Sequence, residues 1–105
     1  MAGAIVSVGI VGCAAVLCAG LATAGSAAVF GQRLAGIADA AALAAADAAS
    51  GAIPGIPCEL SETITAASGA ELGACEIDGL TATVTVAARF GQLPAAASAR
   101  AGPPP

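Results

Sequence analysis

"CEIDGLTATVTV", Cys75 to Val86, sets an Asp-Gly pair between two runs in which apolar residues alternate with other residues. Alternation with period two marks a half-buried strand, and Asp-Gly between two such runs is a strong hairpin signal. The spacing predicts a two-stranded antiparallel hairpin turning at Asp78 and Gly79, with Ile77 opposite Leu80, Cys75 opposite Ala82 and Gly73 opposite Val84. Leu80, Ala82, Val84 and Val86 then share an apolar face with Ile77 and Cys75, while Thr81, Thr83, Thr85 and Glu76 take the polar face. Two strands alone are marginally stable in water. The apolar face needs a cover, and the rest of the chain has to supply it.

Upstream, "CELSETITAASG" (Cys58 to Gly69) spaces Leu60, Ile64 and Ala67 by four and three, with Glu59 and Glu62 early and Gly69 at its end. Early acids suit the positive end of a helix dipole, and a closing Gly suits its C-terminus, so one short helix is predicted. The Ser50-Gly51 pair and "IPGIP" (Ile53 to Pro57) ahead of it form a turn that ends whatever precedes. What precedes is "RLAGIADAAALAAADAAS", Arg33 to Ser50. Alanine has the highest helix propensity, yet a short helix is held mainly by packing of one face. Gln32, Asp39, Asp47 and Ser50 share one arc of a helical wheel, Phe30, Leu34 and Ile37 the opposite one, and Leu43 falls among the polar residues. The run reads as a stalk whose smooth surface suits neighbouring helices or its own small domain, the alternative being a linker helix with no partner.

The stalk continues a segment without any charge, Ala2 to Gly31. About 20 apolar residues suffice to cross roughly 30 Å of hydrocarbon, so this segment spans with length to spare. Small residues recur at four-residue spacing (Gly9 and Cys13, Ala14 and Cys18), which permits close approach of another helix. A signal peptide ending near Ala22-Thr23-Ala24 or Ser26-Ala27-Ala28 is the competing reading, but no positive n-region precedes the run. A retained anchor is expected. Arg33 beside the span biases the C-terminal part toward the cytoplasm, whereas the cysteines bias it outward.

Composition narrows the function. Hydrophobic residues make up 58% of the 105 and charged residues 10%, with two Phe and no Trp or Tyr. A conventional aromatic core is out of reach, so a membrane, a partner or a crosslink must help. Three Arg against seven acids give a net charge of −4, which provides no basic stripe for nucleic acid. The chain has no His, the commonest general base and metal ligand. Glu59 and Glu62 sit three apart on one helix face, as a catalytic pair could, and solvated charges at a helix start are their ordinary role. No catalytic, cofactor-binding or metal site is predicted, no cofactor, and no small-molecule substrate.

Cys13 and Cys18 lie within the apolar span and act as small apolar residues. "VLCAG" (Val16 to Gly20) also resembles the end of a lipoprotein signal, without the basic residue that usually precedes one. Cys58 opens the short helix and Cys75 faces the apolar side of the hairpin, so a Cys58–Cys75 disulfide would tie helix to sheet. That implies an oxidising compartment. Two reduced thiols are the alternative.

The whole layout resembles the TadE/TadG-like proteins of tight-adherence (Flp) pilus systems, most closely the small actinobacterial TadE-like type found beside helicase and secretion genes. The resemblance rests on the hydrophobic helix running into "QRLAGIADAAALAAADAA" (Gln32 to Ala49), the Cys75 to Val86 hairpin, and Ala99 to Pro103. It implies a pilin-like assembly component anchored in the cytoplasmic membrane by one span, with its C-terminal part outside. Its implied partners are the lipid bilayer and other pilin-like or Tad secretion proteins, and it implies no enzyme activity. The expected fold is α+β: a transmembrane helix over 1–31, a helical stalk over 32–50, a helix-hairpin domain over 51–90 and a disordered tail over 91–105. A secreted, disulfide-stapled module binding through the threonine face is the alternative function.

Overall fold

One helix, α1, runs without a break from Ala2 to Ala49. In the computed structural model, which describes residues 1–104, its length sets the shape of the molecule. At 1.5 Å per residue it is about 72 Å long, within overall dimensions of 75 × 28 × 17 Å. Nothing in Ala2–Ala49 breaks it, because the run has no Pro and its glycines are spread singly. The end is defined by Gly51. Its φ of +80° lets its N–H reach the Ala48 carbonyl (3.2 Å) and the Ala52 N–H reach that of Asp47 (2.9 Å). That is a Schellman closure. α2 (Pro57–Ala67) begins with Pro at its first position and ends the same way at Gly69, with bonds to the Ala66 and Thr65 carbonyls.

Three strands follow: β1 (Glu71–Asp78), β2 (Thr81–Phe90) and β3 (Leu93–Ala101), an antiparallel meander in the order β1-β2-β3. The expected hairpin is therefore two-thirds of the sheet, and residues expected to form a disordered tail supply the third strand. Pairing also differs from expectation by two residues. Asp78 pairs with Thr81, Ile77 with Ala82 and Cys75 with Val84. The turn is Gly79-Leu80, not Asp78-Gly79. Gly79 has φ +61° and no non-glycine residue has positive φ, the pattern of a type II′ turn. A shift of two preserves the side on which each residue falls. Ala82, Val84 and Val86 are accordingly all fully buried. Gly73 does not oppose Val84; the register jumps between Leu72 and Ala74, and this bulge returns Leu72 to the inner face with Cys75.

The sheet lies over the two helices, β2 and β3 against α1, and β1 against α2. Leu34, Ala38, Ala41, Ala42, Ala45 and Ala46 form the buried stripe of α1, at the i, i+4, i+7 spacing of one helix face. The alanine run thus packs against its own domain. β3 answers it with Ala95, Ala97, Ala99 and Ala101, all partly buried against the same core. The centre of the interface is built from methyl groups around Val84, Val86 and Leu34, which lets backbones approach closely.

Candidate functional site

The N-terminal half of α1 is the most unusual surface of the molecule. Every residue from Met1 to Val29 is exposed, including Ile5, Val8, Leu17 and Leu21 at 66–75%. A contiguous apolar surface of this extent marks contact with a membrane or a partner. Its three hydroxyls are consistent with lipid. Ser7 donates to the Gly3 carbonyl (2.8 Å), Thr23 to Ala19 (2.9 Å) and Ser26 to Ala22 (3.0 Å). Each returns its hydrogen bond to its own helix, so none needs water. Cys13 and Cys18 are free thiols on this surface. Gly9, Gly12 and Cys13 form a shallow apolar hollow with Val16 and Leu17.

Beyond Phe30 the same helix becomes a scaffold. α2 meets it through an unexpected face. Leu60 and Ile64, the large residues of the predicted apolar face, are only half-buried, and Ala67 is exposed. Ser61 and Thr65 are fully buried instead. The Ser61 hydroxyl donates to the Ala41 carbonyl of α1 at 2.8 Å, and the Thr65 hydroxyl to the Ser61 carbonyl at 2.7 Å. An alanine face presents only methyls and backbone, so the tightest contact goes to small hydroxyl residues, and the larger side chains are displaced to the flanks. Ser61→Ala should destabilise the domain by about 1 kcal/mol, because it removes a buried bond yet leaves the Ala41 carbonyl its helical partner. A lower chemical-denaturation midpoint of the full chain in detergent would register it.

Cys58, in the first turn of α2, is bonded to Cys75 of β1, with Cα atoms 5.8 Å apart. β1 packs chiefly on β2 and α2 and touches α1 little. The bridge therefore fastens the one strand that the long helix does not hold. Cys75 pairs across the sheet with fully buried Val84, so the covalent link enters the core directly.

On the outer face, Glu76, Thr83 and Arg100 occupy one cross-strand row, and Ala74, Thr85 and Ser98 the next. The Thr85 and Ser98 hydroxyls are hydrogen-bonded at 2.7 Å. Glu59 and Glu62 are both exposed on α2. Among the described residues, no three His, Cys, Asp or Glu side chains gather in a group that could hold a metal.

Two further features escaped the sequence reading. β3 was hidden because its inner face is alanine alone, with no large apolar residue to mark it, although "FGQL" (Phe90 to Leu93) repeats the turn pattern of "DGLT" (Asp78 to Thr81). Pro94 is tolerated because β3 is an edge strand. The second feature is the contact of Phe30 with Phe90, ring centroids 5.3 Å apart, which brings the β2–β3 turn beside the point where α1 leaves the domain. Comparison with protein-family models, curated proteins and solved structures gives no match for this chain.

Proposed function

We propose that the chain is a single-pass, TadE-like membrane protein with a structural or assembly role in a Tad/Flp-type pilus or a related secretion apparatus, its small domain displayed outside the cytoplasmic membrane. One observation carries the reading: a single helix is wholly exposed and apolar in its first half and forms the core of a disulfide-tied domain in its second. That construction suits an anchor that presents a rigid head. Orientation follows from chemistry more than from charge. One arginine beside the span is a small bias, while a disulfide forms and persists on the oxidising side. The partners are the bilayer and neighbouring pilin-like helices, which the exposed small residues of α1 would admit closely. Neither catalysis nor a cofactor enters this role.

A photo-crosslinking residue at Val16 in cells that contain the apparatus tests the assembly role. Adducts with other pilin-like membrane helices are expected, and their absence from membrane-inserted protein would overturn that role. An alkaline phosphatase fused to the C-terminus should be active if the domain lies outside.

One feature also favours the secreted alternative. Nothing before Phe30 belongs to the core, so cleavage near Ala24 or Ala28 would release a domain with its packing intact. The threonine face of the sheet would then be the binding surface. A soluble extracellular fragment beginning near Gly25 would replace the assembly role with this one.

A further inference from the structure

The uncharged run Ala2–Gly31 is about 45 Å long as a helix, while the hydrocarbon core is roughly 30 Å thick. Length therefore leaves the depth of α1 open by several turns. Something else has to stop it. The Phe30–Phe90 contact holds the β2–β3 turn against the helix at the end of this run. Leu93, at the close of that turn, is 68% exposed, and Val29, which precedes Phe30 in the helix, is 70% exposed. A large apolar residue on a turn beside an emerging membrane helix has an available environment in the bilayer boundary.

Charge is distributed along the same axis. Arg33 and Arg89, two of the three arginines, each line a recess that Phe30 also lines, and Glu71 is the one acid in the recess of Arg89. The other six acids (Asp39, Asp47, Glu59, Glu62, Glu76 and Asp78) and Arg100 lie farther up α1, on α2 or toward the far end of the sheet. The end of the domain nearest the span is positive although the chain is acidic overall. This matches an anionic lipid surface, with long arginine stems against apolar surface and guanidinium groups at the phosphates.

We infer that the β2–β3 turn is a second membrane contact: Phe90 and Leu93 enter the headgroup–acyl boundary, Arg33 and Arg89 take lipid phosphate, and the turn sets the depth of α1. The inference rests on the reading of α1 as a membrane span. A membrane helix with an attached head would thereby be held at one depth and one tilt, as a subunit that must align with neighbours requires.

The chain lacks Trp and Tyr, so a single introduced tryptophan reports its own surroundings. Full-length oxidised Leu93→Trp and, at the far turn, Leu80→Trp would be reconstituted in phosphatidylcholine vesicles, with and without phosphatidylglycerol. Lipids brominated high on the acyl chain would serve as quenchers. Leu93→Trp should emit at shorter wavelength than Leu80→Trp and be quenched, while Leu80→Trp is not. Gln92→Trp, within the same turn, repeats the readout should the first variant misfold. Adding Arg89→Gln should lower the ratio of docked to undocked turn roughly fivefold in the anionic vesicles, the effect of one basic residue at such a surface, and high salt should do likewise. Co-flotation with vesicles but no quenching at Leu93→Trp or Gln92→Trp would overturn the inference and leave the span standing. Short-wavelength emission without quenching would assign the patch to a protein partner or a second copy, and equally overturn it. Failure to float would remove both the span and the turn contact.

Discussion

Reduction of Cys58–Cys75, or its replacement by Cys58→Ala with Cys75→Ala, should destabilise the small domain by about 3 kcal/mol. That is the chain-entropy value for closing a loop of this length, with the cysteines 17 positions apart. The loss is large against the few kcal/mol that hold a domain of this size together. The core has few alternatives to lean on, since its buried apolar residues are seven alanines together with Leu34, Val84 and Val86. Opening should begin at β1, the strand farthest from the support of α1. Hydrogen exchange measured by mass spectrometry over Glu71–Asp78, with and without reductant, reads this directly. Protection of β1 that does not change on reduction would show that the bridge is not what secures the strand.

Ala45→Leu is expected to be nearly as damaging, at about 1–3 kcal/mol. Ala45 is fully buried in the stripe that α1 presents to the domain, and three further carbons there have no space unless the packed layers separate. The opposite substitution nearby should do almost nothing. Leu43 is 57% exposed, so Leu43→Ala should stay within about 0.5 kcal/mol of the parent. Denaturation midpoints of the two variants in the same detergent give the comparison. A run of alanine present only for helix propensity would predict little change from either substitution. A packed alanine face predicts a large loss from the leucine that is added and none from the leucine that is removed.

The same packing explains which parts of the fold were legible in the residues. Alternation from Thr81 to Val86 carries its own face assignment, so the buried residues of β2 could be read even though the turn was placed one residue early. Asp-Gly fits a turn at either position; Leu80, with its negative φ, selects the type II′ geometry in which glycine comes first. The Gly73 bulge left no mark that alternation could show. α2 was legible as a helix, but its buried side was not. Large residues ordinarily mark the core face, and against a helix of methyl groups the contact goes to Ser61 and Thr65. β3 failed for a related reason: its inner face carries only Ala95, Ala97, Ala99 and Ala101, so alternation with Pro94, Ala96, Ser98 and Arg100 leaves no large apolar residue to mark the period. The exposed apolar half of α1 could be read because absence of charge over so long a stretch is itself the signal. Its junction with the β2–β3 turn depends on Phe30 meeting Phe90, a contact between distant parts of the chain that no local pattern encodes.

Alkaline extraction of membranes from cells that make the full chain, followed by the intact mass of what remains in the pellet, bears most directly on the two-part nature of α1. A helix that spans with its exposed N-terminal half and builds its domain on Leu34–Ala46 should stay in the membrane pellet. Its mass should include residues 1–31 and be two hydrogens short of the fully reduced chain, as one disulfide requires. Recovery of the protein in the soluble fraction, at the mass of a fragment starting near Gly25, would contradict it.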